Sequence, residues 1–378
     1  MGFGDDQVEI RVDAKAFRGW TAVQVSASLE EACRTFSFAT GGSYEERDDA
    51  LIAAGAACSI WVGGERVATG YADEVDDQLD AATKSLTYRA RSKTCDLVDC
   101  SAPLGSWRNI RLDRLVTELL AGFDVEAHFA LAEAAALIIP RHRTAVGETV
   151  FAALDRLCSE RGVLLTDDAA GRLVFDRVAA TGTVSTTRIE VGRNVLAASG
   201  KWSLVERFSS YTVAGQVFLD LEVDPAATAG ATDPGVTRYR PLIVDADRGT
   251  DRAGALAKAR WEAVTRAGKS FGRTYTLAGW RQDDGTLWAP GQRVLVTDRR
   301  AGLSGAELLI VGVDLGLDDG GRKTSLRCAP AAGYQAFVAG KSLVAPGSGA
   351  GGLFFDGRQT IESTRPDYSK LRPGVVDG

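Results

Sequence analysis

Alternation of apolar and polar residues dominates the first hundred positions. In "KSLTYRARS", Leu86, Tyr88 and Ala90 share one face and Ser85, Thr87, Arg89 and Arg91 the other, which is the period of a half-buried strand. "CSIWVGGERVATGYADEV" predicts two strands around a Gly63-Gly64 turn, a strong hairpin signal because glycine takes positive φ without steric cost. "WTAVQVSASLEEACRTFSFAT" predicts two more, Trp20 to Ser26 and Thr35 to Thr40. Short strands at this spacing predict a sandwich or small barrel.

The period changes near Ser101. "IRLDRLVTELLAG" sets Leu112, Leu115, Val116, Leu119 and Leu120 on one helical face, stopped by Gly122. "GETVFAALDRLCSERG" does the same with Val150, Phe151, Leu154, Leu157 and Cys158, and "GVLLTDDAAGRLVFDRV" then reads as a hairpin. Beyond Val195 strands return in "GKWSLVERFSSYTVAGQV", and "ATAGATDPG" reads as a loop of turn formers. "TDRAGALAKARWEAVTRAG" predicts one helix over about 250–267, with Thr250 as N-cap, Gly268 at C′ and an apolar stripe of Ala253, Ala257, Trp261 and Val264. The expected organisation is a first β-barrel unit over 1–100, an α+β insert over 101–194, a second β-barrel unit over 195–345, and a linker and peptide-like tail over 346–378.

Two stretches echo each other. "GYADEVDDQLDAATKSLTYRAR" and "LLIVGVDLGLDDGGRKTSLRCA" both contain V-D-x-x-L-D: Val75-Asp76 with Leu79-Asp80, and Val313-Asp314 with Leu317-Asp318. At the same offset Lys84 matches Arg322, Thr87 matches Ser325 and Arg89 matches Arg327. Upstream, "AAGAACSIWV" resembles "APGQRVLVTD" after a two-residue slip. The agreement in strand phase predicts two related β-domains; the plainer reading is that polar-turned hairpins look alike. Two similar barrels per chain would make a trimer pseudo-sixfold. Arg89 and Arg327 then stand at equivalent polar-face positions, placed either for pairing with acidic residues between subunits or for simple solvation.

"LAGWRQDDGTLWAPGQRVLV" combines two tryptophans, two adjacent aspartates and a Pro-Gly. A three-residue loop Asp283-Asp284-Gly285 would set Gln282 opposite Thr286 and Trp280 opposite Trp288. A two-residue loop at Asp284-Gly285 would instead put the tryptophans on opposite faces.

Composition narrows the function classes. Of 378 residues 45% are hydrophobic and 25% charged, with a formal net charge of −6, so no basic stripe grips nucleic acid. No apolar run is long enough to span a membrane, and "MGFGDDQVEIRVDAKAF" carries no signal-peptide core and fails the myristoylation pattern at Asp6. Cys33, Cys58, Cys95, Cys100, Cys158 and Cys328 are scattered without a CxxC, as expected of reduced structural thiols rather than zinc ligands. His128 and His142 are the two histidines; His142 in "PRHRT" reads as a loop residue. The acidic pairs Asp76-Asp77, Asp167-Asp168, Asp283-Asp284 and Asp318-Asp319 could be searched for glycosidase chemistry, but turn formation accounts for aspartate near predicted turns. "GGSYEERDDA" reads as a solvated loop, calcium-loop spacing fails around Gly285, and no Walker loop, GxSxG or HExxH occurs. No catalytic, cofactor-binding or metal-binding residue is expected.

Taken together, "GWTAVQVSASLEEACRTFSF", "IWVGGERVATGYADEV", "RSKTCDLVDCSA" and "YTLAGWRQDDGTLWAPGQRVLV" resemble the baseplate hub proteins of Mu-like contractile-tailed phages, a family that extends to late control D and VgrG-type hubs. The resemblance runs over about residues 8 to 345. It implies a non-enzymatic homotrimeric hub in the virion, assembled in the host cytoplasm. Such a hub joins the six-fold tail tube to a three-fold membrane-piercing spike, contacts baseplate wedge proteins and leaves a bore through which DNA passes without specific binding. A hub-associated cell-wall hydrolase, or the hub of a tailocin or type VI spike, is the alternative. The tail, with Leu353, Phe354 and Phe355 after a flexible linker, suits docking onto a partner.

Overall fold

A computed structural model describes residues 6–12, 15–43, 52–79, 83–159, 161–177, 183–216, 223–245 and 252–334. The expected loop over 41–50 lies mostly outside this set, as do Thr250 and the tail. The first quarter of the chain contributes β1 (Val8–Val12), β2 (Lys15–Phe17), β3 (Ala22–Ser28), β4 (Thr35–Ser43), β5 (Ala57–Val62), β6 (Glu65–Leu79) and β7 (Thr83–Ser92). There follow α1 (Cys95–Asp99), β8 (Ser106–Arg111), α2 (Leu112–Leu119), β9 (Ala127–Phe129), α3 (Ala132–Ala135), β10 (Ile138–Arg143), α4 (Val150–Ser159), β11 (Leu164–Asp167) and β12 (Leu173–Asp176). The remainder is β13 (Ile189–Glu190), β14 (Val195–Trp202), β15 (Ser210–Gln216), β16 (Val223–Thr232), β17 (Pro241–Asp245), α5 (Arg252–Lys269), β18 (Phe271–Ala278), β19 (Arg293–Asp298), β20 (Leu303–Asp318) and β21 (Gly321–Ala329).

The protein is mainly β, and its spine is one sheet. Thirteen strands pair continuously in the order β14-β18-β21-β20-β3-β4-β7-β6-β5-β1-β2, with β19 joining β20 and β13 joining β19. Residues from both ends of the chain share one core, in which Ile10, Phe38, Ile60 and Tyr88 lie with Tyr275, Trp280, Val296 and Leu326. Alternation places them there: Leu86, Tyr88 and Ala90 are 7%, 2% and 3% exposed, as their shared face requires. The Gly63-Gly64 turn has φ of 55° and 83°, the left-handed conformation that a right-twisted hairpin favours.

The α+β segment has its own core. The helical stripes Leu112, Leu115, Val116, Leu119 and Val150, Leu154, Leu157, Cys158 meet Leu165, Leu173 and Phe175 of the β11–β12 hairpin. His142 is not in a loop. It sits in β10, 2% exposed, stacked on Trp107 with centroids 5.6 Å apart. The two flanking arginines suggested a solvated turn, but strand alternation sends them outward and the imidazole inward.

Three further expectations are overturned. "ATAGATDPG" is largely strand: β16 pairs β15 with Ala229 opposite Val213 and Ala231 opposite Tyr211. Its small residues suit the helix that covers it. Ala255, Ala259 and Ala263 of α5 pack with Tyr211, Val213, Ala229 and Ala231, and alanine on both surfaces lets the backbones approach. That buried stripe also replaces the expected one, since Val264 is 38% exposed. A helix with alanine on every side carries little periodicity. Gly268 lies inside α5 and caps nothing. A β-carbon there would collide with the Gly333 backbone, so the glycine admits the turn Ala331–Tyr334 against the helix.

Candidate functional site

The repeat is realised in backbone detail. Val75 pairs Tyr88 and Asp76 pairs Thr87 across β6–β7; Val313 pairs Leu326 and Asp314 pairs Ser325 across β20–β21. Each hairpin has one register shift, between Ala72 and Glu74 and between Ile310 and Gly312, at the same position of the match. The slipped upstream match holds as well. Gly55 and Gly291 have φ of 85° and 87°, and their amides donate to Ala72 O at 2.7 Å and Ile310 O at 2.8 Å. The correspondence extends to strands with little visible likeness: Val23-Phe38-Tyr88 across β3-β4-β7 matches Ala198-Tyr275-Leu326 across β14-β18-β21. A bulge, two left-handed glycines and a shared register identify one β unit built twice.

The two units are joined edge to edge. Strand β3 pairs β20 antiparallel, with Val25 opposite Leu315 and Ser26 opposite Asp314. On the inner row Val23, Val25, Val313 and Leu315 are 3%, 3%, 3% and 4% exposed. On the polar row the Ser26 hydroxyl and the Asp314 carboxylate lie 2.5 Å apart.

Arg89 and Arg327 do occupy equivalent places, and within the chain each meets a carboxylate. Arg89 pairs with Asp76 and, at 3.1 Å, with Glu74; Arg327 Nε lies 3.8 Å from Asp314. A β-carbon on Gly312 would strike the Arg327 guanidinium, so glycine opens the space in which that side chain lies. Arg89, Glu74 and Asp76 are 57%, 64% and 46% exposed, so solvent screens their attraction.

Other charged ties escaped the sequence reading. Arg34 binds Asp167 through its backbone amide at 2.9 Å and Nε at 3.1 Å, docking the α+β segment onto the first β unit. Burial pushes the Asp167 carboxyl up from its ordinary value, against the pull of Arg34. Arg281 reaches Asp6 at 2.6 Å, Glu65 at 2.5 Å and Gly285 O at 2.7 Å, holding the tryptophan hairpin against the first unit. Arg207 grips Asp233 at 2.5 and 2.9 Å. These partners are far apart in the chain, and isolated arginines carry no signal of which carboxylate they will meet.

The tryptophan hairpin takes the three-residue loop. Gln282 N donates to Thr286 O at 2.8 Å, and Trp288 N to Trp280 O at 3.3 Å. Asp284 accepts from Thr286 N at 2.9 Å and Thr286 Oγ1 at 2.6 Å. Trp280 and Trp288 are 1% and 4% exposed, and Trp280 Nε1 donates to Gly316 O at 3.0 Å and Lys323 O at 3.1 Å. The aspartates shape a turn and the tryptophans pack.

Family models match over residues 7–92 ("Mu phage baseplate assembly protein GpP-like, N-terminal"), 94–177 ("Baseplate hub protein gp44-like, second domain") and 251–336 ("Mu phage baseplate assembly protein GpP, fourth domain"). The chain is 34% identical over 339 residues to the baseplate hub protein gp44 of Escherichia phage Mu, covering 86% of this chain and 88% of that one. The chain belongs to the Mu-type baseplate hub family.

Solved structures similar to this hub chain include the 43 kDa tail protein of prophage MuSo2 from Shewanella oneidensis, at TM-score 0.78 and 31% identity over 88% of this chain and all (100%) of that one. A tail protein from Neisseria meningitidis MC58 follows at 0.71 and 24% over 87% and 98%. The fold alone is shared with an E. coli type VI secretion component that resembles T4 tail proteins gp27 and gp5, at 0.55 and 11% over 87% and 80%. For a hub the relevant chemistry is surface. Leu196 and Trp202 on β14, and Leu204 and Val205 just after it, are 60%, 60%, 46% and 70% exposed. Among the described residues no group of potential ligands could hold a metal ion, and no helix is long and apolar enough to cross a membrane.

Proposed function

We propose that this chain is the hub subunit of a contractile-tail baseplate and acts as a symmetry adaptor. Three copies form a ring in which six related β units surround a bore. The repeated units offer the tail tube a six-fold surface, while the appendages that differ between them offer the spike and wedge proteins a three-fold one. DNA passes through the bore without specific binding. The division into 1–100, 101–194, 195–345 and 346–378 belongs to this reading, with the tail as a docking peptide. The ring assembles in the host cytoplasm and functions in the virion. Its role is structural, with no catalytic, cofactor or metal site.

One observation carries the proposal: the two β units agree in register, bulge and left-handed glycines, and already pair with each other through β3 and β20. Closed cyclic symmetry fixes how many equivalent surfaces an oligomer presents, and a duplicated unit doubles that number. Negative-stain images of the purified protein test the reading. Three-fold rings with six lobes are expected, together with no clearing of peptidoglycan in a zymogram. A monomer with lytic activity would overturn it in favour of the hydrolase.

A further inference from the structure

The repeat leaves two edges short of the neighbour that their counterparts have. Strand β3 lies between β4 and β20, whereas among the described residues its counterpart β14 pairs β18 and ends the sheet. The stretch Gly312–Leu317 of β20 pairs both β21 and β3. The matching stretch of β6, Glu74–Leu79, has β7 as its only strand partner among the described residues, because β5 reaches no further than Tyr71. Burial follows the same division. Val23, Val25 and Ala27 on β3 are buried, while at the matching places of β14 Ala198 is half-buried and Gly200 and Trp202 are exposed. Leu79 is exposed where Leu317 is half-buried.

We propose that β14 of one copy adds antiparallel to the free edge of β6 of the next, reproducing between chains the β3–β20 junction found within one. The proposal rests on the trimeric reading above and specifies its subunit contact. Transposing the β3–β20 register gives the pairs Glu74–Ser203, Val75–Trp202, Asp76–Lys201, Asp77–Gly200, Gln78–Ser199 and Leu79–Ala198.

The side chains that this register brings together are complementary. Val75 meets Trp202 on the inner row, an apolar pair that covers an exposed ring. Asp76 meets Lys201 on the polar row, opposite charges at the place where Asp314 meets Ser26 inside the chain. Asp77, a polar residue on the inner row, falls opposite Gly200. There the Arg273 guanidinium fills the space that a β-carbon would take. A one-residue slip would send Trp202 to the polar row and separate Asp76 from Lys201, since the side-chain period is two. The pairing also covers two sheet edges otherwise open to promiscuous strand addition.

Disulfide trapping in the full-length chain tests this. In a Cys100→Ser background, Asp76→Cys with Lys201→Cys is compared with Glu74→Cys with Ser199→Cys, a pair that this register keeps apart. After mild oxidation the first pair is expected to give linked dimers and trimers about fivefold more abundantly than the second, because disulfides demand close β-carbons. Single-cysteine chains should give neither. Sedimentation of the unmodified protein separates the possible failures. Trimers without preferential linkage would overturn the strand pairing and leave the ring reading intact, whereas monomers at high concentration would overturn both. Lys201→Glu adds a second readout: about tenfold weaker association is expected, and unchanged association with retained secondary structure would count against the register.

Discussion

Asp298 has no exposed surface, and its carboxylate meets the Arg273 guanidinium, the Tyr275 hydroxyl at 3.2 Å and the Arg300 amide at 3.1 Å. Removing one member of a buried ion pair leaves the other charge uncompensated. Asp298→Ala is therefore expected to cost about 3–5 kcal/mol, measurable as a shifted urea midpoint; a loss below about 1 kcal/mol would mean that solvent reaches the pair. The cysteines give a chemical prediction. All six are free, and burial pushes Cys58, Cys158 and Cys328 up to about 12. A thiol with a raised pKa stays protonated until the pH approaches that value. At pH 8 its thiolate fraction is about one in ten thousand. A disulfide reagent at pH 8 should thus react quickly with exposed Cys100 and with the buried thiols only after denaturation. Rapid reaction of Cys158 would contradict its placement in the α+β core. Spacing alone is enough to suggest reduced structural thiols, but the ion pair at Asp298 is illegible in the sequence, because nothing near Arg273 in the chain names its partner.

At the scale of elements, local pattern carries most where the period is clean. The β6–β7 and β20–β21 hairpins match on residue pattern alone because a period of two fixes which face each residue takes. The tryptophan hairpin narrows to two registers, the Gln282 N–Thr286 O hydrogen bond decides between them, and Gly285 closes the loop with φ of 85°. An L-residue there adopts a left-handed conformation, so Gly285→Ala should cost about 1–2 kcal/mol, read from thermal unfolding; no loss would mean that the turn relaxes freely. Pattern fails at α5 and β16 for one reason. Both are made of small residues whose value lies in close approach, and small residues carry almost no hydrophobic periodicity.

At the scale of the molecule, the junction of β3 with β20 joins residues 288 positions apart in the chain, and neither strand carries a mark of the other. The repeat suggests two barrels side by side; the structure contains one continuous sheet. A continuous ladder should unfold as a unit. Leu315→Ala, at the junction, is expected to destabilise both β units together by about 2–5 kcal/mol. Calorimetry should then show them moving as one transition, and separate shifts would indicate two independent bodies.

The insertions carried by the sheet show what such a scaffold tolerates. Strands β3 and β4 are joined by a short turn, while their counterparts β14 and β18 are separated by β15, β16, β17 and α5, yet Val23 faces Phe38 as Ala198 faces Tyr275. The sheet does not register what is hung between its strands. New attachments can accordingly be acquired or exchanged at the rim of such a protein without altering the pairing at its centre, and two copies of one unit can diverge in what they hold while remaining the same in how they hold each other.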